Sequence, residues 1–209
     1  VTTYAFLTPS YRYVMPGAST PFTVTGADAS YGPASAPSDL TYTVSNELGT
    51  VQDETFTAGT TTGTATITGS NGVVSGSMAV CITGDIQSIA LQSGGETLSS
   101  ISLEPGESID VDGIAYHLGQ RMGSADTSFS WSVSGDVGTV DANGVLTAGD
   151  RMASGTLTCS YGATSQSITV NVGMGDPQDA ETVAGFEDGT DGLTATSGVT
   201  LSRVTDYTE

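Results

Sequence analysis

The sequence contains one ordered set of short motifs twice, and this internal repeat constrains the fold more than any other feature. The first set covers residues 39–45, 49–51, 56–59 and 63–67, and the second covers residues 128–134, 138–140, 146–149 and 155–159. The period is about 90 residues, far above the roughly 20 to 50 residues of solenoid repeats. Each copy is long enough for its own core, so we predict domains over 1–84 and 85–173, joined at Thr83, Gly84 and Asp85.

Apolar and polar residues alternate along both copies, and no segment shows a helical period of 3.6 residues. Turn signals such as Pro16-Gly17 and Pro105-Gly106 separate the alternating runs. The pattern includes continuous strands over 21–25 and 108–116. About seven short strands per copy are typical of an immunoglobulin-like sandwich. We therefore predict an all-β chain with two tandem immunoglobulin-like β-sandwiches and an incomplete C-terminal β segment.

The second copy contains a strong turn signal at Asp141-Ala142-Asn143-Gly144. Asn-Gly tolerates positive φ values and is typical of a tight reversal between two strands. A metal site at these residues is the alternative interpretation, and a hairpin turn explains them better.

The residues around this turn resemble the bacterial immunoglobulin-like domain family (group 2). The run 131–149 contains an aromatic strand followed by a Val-Asp-Ala-Asn-Gly-Val turn, and 155–158 matches the family's Gly-Thr strand. The resemblance covers 85–173 well and 1–84 less closely, because Tyr42 replaces Trp131 and the Asn-Gly is absent. Members of this family are spacers or adhesive modules of surface and secreted proteins, so the resemblance implies an extracellular, bacterial cell-surface location.

Residues 174–209 match neither copy. Residues 173–179 form a linker of Gly, Pro and acidic residues, and the segment 186–195 resembles the first strand of galactose-binding-like jelly rolls, common among carbohydrate-binding modules. The resemblance implies the start of a jelly-roll domain and a structural calcium at Asp188 and Asp191; a plain turn is the alternative. A stretch of fewer than about 40 residues with few apolar side chains is not expected to fold alone.

The charge of the chain is strongly negative, with 23 acidic residues, four basic residues and a net charge of −19. Such a charge repels phosphate backbones and anionic lipids, so nucleic acid is an unfavourable partner. No apolar run is long enough for a membrane span, and no signal-peptide pattern opens the chain. We interpret the chain as a piece of a longer protein.

Two cysteines are too few for a disulfide framework. Cys159 aligns with Ile67 and shares the strand parity of Leu157, so it should face the core as a small apolar residue. Cys81 should face outward. Because they lie in different copies, no disulfide between them is expected.

The sequence offers few residues for catalysis, and we expect no enzyme activity and no cofactor apart from the calcium above. His117 is the only histidine, which excludes Ser-His-Asp, Cys-His and multi-histidine zinc sites within the chain. We expect it to be a polar residue at a strand end. Asp110 and Asp112 are predicted to share one strand face, where their oxygens would suit calcium, but a solvated face explains them better because too few further ligands are near.

Aromatic residues near the start of the chain are candidates for sugar stacking. Tyr4 and Phe6 should share one strand face, as should Tyr11 and Tyr13 on either side of Arg12. Core packing, or contact with an upstream domain, is the favoured alternative. Trp131 has the parity of core residues and should pack inside the second sandwich.

Two functions remain open from the sequence. The first is a non-catalytic structural spacer in a larger secreted or cell-surface protein, such as a multidomain carbohydrate-active enzyme, with the flanking domains as partners. The second is an adhesive or glycan-binding module that recognises a host or polysaccharide ligand.

Overall fold

The computed structural model describes residues 1–173. The predictions for 174–209, including the jelly-roll strand and the calcium ligands Asp188 and Asp191, lie outside the described residues. The predicted limits of the domains also stay predictions.

The first repeat has ten strands in three small sheets. Their hydrogen-bonded orders are β1-β4-β5, β2-β10-β9-β6 and β3-β8-β7. The strands are β1 (Tyr4–Thr8), β2 (Tyr11–Val14), β3 (Ser19–Pro21), β4 (Thr23–Ala27), β5 (Pro33–Ala34), β6 (Thr41–Val44), β7 (Gly49–Gln52), β8 (Thr55–Ala58), β9 (Gly63–Ser70) and β10 (Ser75–Ile82).

The second repeat has eleven strands with the corresponding orders β12-β11-β15-β16, β13-β21-β20-β17 and β14-β19-β18. The strands are β11 (Ser88–Ser93), β12 (Glu96–Thr97), β13 (Ser100–Leu103), β14 (Ser108–Asp110), β15 (Asp112–His117), β16 (Gln120–Arg121), β17 (Ser130–Ser134), β18 (Gly138–Val140), β19 (Val145–Ala148), β20 (Ala153–Tyr161) and β21 (Thr164–Val172).

Both repeats have the same topology. In each, one early strand pairs in parallel with the last strand, β2 with β10 and β13 with β21, while the other strand pairs are antiparallel. The helical elements of the described chain are two short 3-10 turns, at Ser45–Glu47 and Asp126–Ser128. The predicted all-β fold of two tandem immunoglobulin-like sandwiches is confirmed.

The core follows the alternation read from the sequence. Strand β9 alternates exposed threonines with buried Ala65 and Ile67, and β21 buries Ile168, Val170 and Val172. The buried side chains form a cluster that runs through both repeats. Alternating burial of this kind excludes a one-residue slip, because the slip would turn every apolar side chain to water.

The predicted alignment of Cys159 with Ile67 is wrong by two residues. Trp131 pairs with Cys159, whereas its counterpart Tyr42 pairs with Gly69. Cys159 therefore occupies the position of Gly69, and its burial in the core is as predicted. A shift of two residues preserves strand parity, so alternation cannot detect it. In the first repeat a Cβ at Gly69 would lie 2.7 Å from the Tyr42 ring, so glycine makes room for that ring.

The two predicted continuous strands, 21–25 and 108–116, are each divided between two sheets. The chain passes from one sheet to the other at Phe22 in the first repeat and at Val111 in the second, and both side chains are buried. Asp110 and Asp112 consequently lie on strands of different sheets, which corrects the prediction that they share one strand face. Because the residue at each crossing is apolar, apolar and polar residues still alternate there. The sequence pattern therefore does not show where the strand ends.

Candidate functional site

The contact between the two repeats is a hydrogen-bonded junction. Gly123, just after β16, pairs in parallel with Val14 at the end of β2. The Gly123 N–H donates to the carbonyl of Tyr13, and the Met15 N–H donates to the carbonyl of Gly123, both at 2.9 Å. The second repeat thereby extends the edge of a sheet in the first.

Glycine is required at position 123 because there is no room for a side chain. A Cβ there would lie 2.7 Å from the carbonyl oxygen of Ser19 and 3.2 Å from side-chain atoms of Thr20 and Val14. The close approach of the two backbones therefore depends on this residue.

His117 lies at the same junction. It ends β15, as predicted for a strand end, and its ring packs edge-on against Tyr13 with centroids 4.5 Å apart. Its Nδ1 is 2.7 Å from the carbonyl oxygen of Asp85 and 3.4 Å from the Asp85 carboxylate. The only histidine thus connects the first repeat, the linker and the second repeat, a structural position that the sequence did not reveal.

The linker itself is short and hydrogen-bonded. The Thr83 N–H donates to the Val14 carbonyl at 3.0 Å, and the Thr83 hydroxyl accepts from the Asp85 N–H at 3.1 Å. A Cβ on Gly84 would lie 3.1 Å from the Tyr161 hydroxyl. The linker therefore follows the surfaces of both repeats closely.

A cavity of about 160 Å³ lies beside the junction. It is lined from the first repeat by Arg12 and Thr20, and from the second by Ile114, Arg121 and Ser124, among others. The Arg12 Nε is buried without a hydrogen-bond partner. None of the lining residues is acidic, although the chain carries a net charge of −19.

A second feature is the aromatic surface, defined here as Tyr4, Phe6 and Tyr31. Tyr4 and Phe6 share one face of β1, as predicted, but this face points outward, so they are not the core residues that the favoured interpretation included. The ring of Tyr31 stacks on that of Tyr4 with a centroid distance of 4.6 Å and an interplanar angle of 3°. Phe6 is 45% exposed and Tyr31 68% exposed. Strand periodicity gives no signal for Tyr31, because this residue lies in the loop between β4 and β5.

The other aromatic pair packs differently. Tyr11 and Tyr13 contact each other edge-on at 5.1 Å, and Tyr13 is half-buried against His117. Burial and then a hydrogen bond with Cys81 raise the pKa of Tyr11 to about 12. This pair belongs to the neighbourhood of the junction rather than to an open stacking surface.

Asp126 is an acidic residue of the described chain whose pKa is changed by burial. Its carboxylate accepts a hydrogen bond from the Gly113 N–H at 2.7 Å, and its carbonyl accepts one from Trp131 Nε1 at 3.0 Å. Burial raises the pKa of Asp126 and the charges of Asp112 and Asp110 raise it further, against the lowering effect of the Gly113 N–H. Within residues 1–173, no group of three or more His, Cys, Asp or Glu side chains is arranged to hold a metal ion.

The predicted turn at 141–144 is present, and its aspartate serves as a cap. The Asp141 carboxylate accepts hydrogen bonds from the N–H groups of Asn143 at 2.8 Å and Val145 at 3.0 Å. Gly144 has a φ of +84°, and a Cβ there would clash with the Val111 carbonyl oxygen. The N–H groups of Val145 and Asn143 hold the pKa of Asp141 below its usual value.

These opposite pKa shifts predict opposite pH dependences for two Asp→Asn variants. The folded state holds the Asp126 proton more tightly, so its contribution to stability falls as pH rises from below 3.8 through the raised pKa. Asp141 contributes stability above 3.8 that disappears as pH falls through its lowered pKa. We expect Asp126→Asn to gain stability relative to the wild type between about pH 3 and 7, and Asp141→Asn to lose it. Urea unfolding across this range measures both, and a common sign would contradict the assignment.

The two cysteines are free thiols, and their environments predict different reactivity. Burial and then the charge of Asp126 raise the pKa of the Cys159 thiol to about 12, whereas Cys81 is half-buried on β10. A disulfide-exchange reagent at about pH 8 should therefore modify Cys81 alone in the folded chain and both thiols in denaturant. Modification of Cys159 in the folded state would show that the core opens more readily than its packing indicates.

No protein-family model and no curated protein matches the chain. The solved structures that it resembles include domains 5–6 of the surface-layer protein SbsC, with 15% identity and a TM-score of 0.35 over 79% of this chain and 94% of that chain. The adhesin InvE of Yersinia pseudotuberculosis has 16% identity and a TM-score of 0.31 over 81% of this chain and 58% of that one. Invasin, a bacterial integrin-binding protein, has 14% identity and a TM-score of 0.32 over 80% and 38%.

Similarity at this level carries no functional argument, and the fold assignment stands on the strand pairing described above. Membership of the bacterial immunoglobulin-like family (group 2) stays a prediction from the sequence. Within the described part of the chain, no helix has the length and apolarity needed to cross a membrane.

Proposed function

We propose that this chain is a non-catalytic structural tandem that fixes the distance and orientation of the domains flanking it. The observation that carries the proposal is the backbone pairing of Gly123 with Val14. Movement between the repeats is restricted by two backbone hydrogen bonds, by the contact between His117 and Tyr13, and by the hydrogen bonds of the linker. A tandem joined in this way behaves as a rod rather than as two domains on a flexible tether.

The arrangement of polar groups supports the absence of catalysis in this proposal. The only histidine contacts Tyr13 and Asp85 at the junction. The carboxylate of Asp126 accepts a hydrogen bond from the Gly113 N–H, next to the strand crossing at Val111. A turnover that survives repurification and is abolished by a point mutation in this chain would overturn this part of the proposal.

Nitrogen-15 relaxation tests the rigidity directly. We expect one rotational correlation time for both repeats, because they tumble as a single body. A matched control variant has four residues of Gly and Ser inserted after Gly84. Each repeat of this variant should have its own, shorter rotational correlation time. Two separate correlation times in the wild type would contradict a rigid spacer.

The proposal also includes a cellular location for the chain and a kind of parent protein. The resemblance of 131–149 to bacterial immunoglobulin-like domains supports an extracellular cell-surface location. The resemblance of 186–195 to carbohydrate-binding modules supports a multidomain carbohydrate-active parent, with calcium at Asp188 and Asp191. Calorimetric titration of calcium into the chain and an Asp188→Asn/Asp191→Asn variant tests that site.

Glycan binding is the second candidate, and the aromatic surface is the observation that favours it. Exposed aromatic rings such as Tyr31 can stack on the apolar faces of sugar rings. A glycan array with the wild type and a Tyr31→Ser variant separates the two functions, because a spacer should bind no glycan.

A further inference from the structure

The cavity beside the junction is bordered by two arginines, one from each repeat. Arg12 lies on β2 and Arg121 ends β16, and both line the cavity of about 160 Å³. The parallel pairing of Val14 with Gly123, continued two residues back, sets Arg12 beside Arg121 on one face of the extended sheet. Two guanidinium groups therefore border one small space in a chain whose net charge is −19.

Arg12 occupies a position at which the second repeat has an apolar core residue. It pairs with Val80, two residues before the end of β10, and Ile101 pairs with Val170, two residues before the end of β21. Ile101 is therefore the counterpart of Arg12, and it is only 3% exposed. Since the sandwich also folds with isoleucine at this position, the fold does not require an arginine there. A charged side chain at such a position is costly unless another group pairs with it.

The described chain supplies no such group. The Arg12 Nε is buried without a hydrogen-bond partner. Neither Arg12 nor Arg121 forms an ion pair within residues 1–173, and none of the residues that line the cavity is acidic. Like charges at neighbouring positions of a sheet repel each other, so an anion between them would stabilise the junction. The buried Nε–H needs an acceptor from outside this part of the chain.

We propose that this cavity binds a tetrahedral oxyanion, a sulfate or phosphate group, which connects the two repeats. Each guanidinium presents several N–H donors in a planar fork that matches the oxygens of such a group. The volume of the cavity is far above the roughly 15 Å³ that a single water needs. Arg121 is exposed, whereas Thr20 on the opposite wall is 2% exposed, so the cavity runs from the solvent to the interior.

The bound group should act on the coupling of the repeats. A group that binds one arginine of each repeat favours the docked arrangement, because undocking would separate its two partners. The negative charge of the rest of the chain disfavours anions elsewhere on the surface, so one site is expected. The proposal goes beyond the spacer function. A tandem that binds no anion could still tumble as one body, so failure of this proposal is distinguishable from failure of the proposed function.

Nuclear magnetic resonance of the arginine Nε–H groups tests the site residue by residue. The chain has four arginines, and single Arg→Gln variants assign their signals. Sodium sulfate or sodium phosphate is added while NaCl keeps the ionic strength constant. We expect the signals of Arg12 and Arg121 to shift together and to saturate, with a dissociation constant of about 1 mM or below, while the signal of Arg151 does not move. Shifts that stay linear, or that are equal for all three, would overturn the proposal.

Thermal unfolding is the second measurement, and Arg12→Ile is its main variant because isoleucine occupies this position in the second repeat. Sulfate raises the Tm of most proteins through exclusion from their surface, and a bound ion adds an increase that saturates. We expect the wild type to show both effects and Arg12→Ile only the first. Arg121→Gln should bind sulfate at least about tenfold more weakly.

The matched control is Arg151→Gln, which removes the same charge from an exposed arginine that lies near Asp136 and Asp150. This variant should keep the saturating increase in Tm. Circular dichroism establishes that the variants are folded. A saturating increase of the same size in Arg12→Ile and in the wild type would overturn the proposal.

A third probe, glucose 6-sulfate, distinguishes a free ion from a group carried on a sugar. Binding of inorganic sulfate or phosphate but not of the ester assigns the site to a free ion, and tighter binding of the ester assigns it to a sulfated sugar. If none of the three probes bound saturably, the cavity would not be an oxyanion site.

Discussion

Replacing Trp131 with alanine is expected to destabilise the second repeat by about 3–5 kcal/mol, through lost apolar contacts and the cavity left behind. The indole is half-buried, packs edge-on against Phe129 with centroids 6.3 Å apart, and donates a hydrogen bond to the Asp126 carbonyl at 3.0 Å. Urea unfolding followed by far-UV circular dichroism measures the effect, because the variant has no tryptophan fluorescence.

Two further variants calibrate this result. Trp131→Phe retains an aromatic ring but loses the indole hydrogen bond, and should cost about 1–2 kcal/mol. Tyr11→Ala removes an exposed ring and should cost about 1 kcal/mol or less. If Tyr11→Ala were the more damaging change, the assignment of the core and the surface would be inverted.

The second large effect is expected for Gly123→Val, which should open the junction. The added Cβ would lie 2.7 Å from the Ser19 carbonyl oxygen, so the two backbone hydrogen bonds to Tyr13 and Met15 cannot form at their present length. Their loss at about 1 kcal/mol each, together with the steric strain, predicts a cost of roughly 3 kcal/mol to the coupling of the repeats. Each repeat should then tumble with its own correlation time.

The control for this variant is Ser35→Val. Strand pairing places Ser35 at the position of the first repeat that corresponds to Gly123, and Ser35 is exposed. This change adds the same β-branched side chain without a crowded neighbour of the second repeat, so the single correlation time should persist. If Gly123→Val also kept one correlation time and the wild-type unfolding curve, the repeats would be held together by contacts other than the backbone pairing of Gly123 with Val14.

Much of the fold could be predicted from the sequence because it depends on local alternation. The strand content, the buried position of Cys159 and the turn capped by Asp141 all follow from period-two patterns and from a short turn motif. The two-residue shift of β20 and the strand breaks at Phe22 and Val111 could not be predicted. In each case the alternation is unchanged. The register of pairing differs for β20, and the partner strand differs on the two sides of Phe22 and Val111.

The candidate sites were less predictable, because they depend on contacts between distant segments. Tyr31, in the loop between β4 and β5, stacks on Tyr4 of β1, and Gly123 pairs with Val14, more than one hundred positions earlier in the chain. The sequence held one weak signal for the junction: a lone His117 near an Arg-Met-Gly segment with no counterpart in the repeated motifs. Periodicity within a strand gives no information about which surface covers it.

The parallel pairing of an early strand with the last strand has a mechanical consequence. Val14 ends β2 beside Ile82, and Leu103 ends β13 beside Val172, so within each repeat the two strands run in the same direction. Tension between the ends of a repeat pulls such strands past each other along their length. The evenly spaced hydrogen bonds of a parallel ladder then bear the force together, instead of breaking one after another. A chain of these repeats should extend under load only at forces that shear a whole ladder at once.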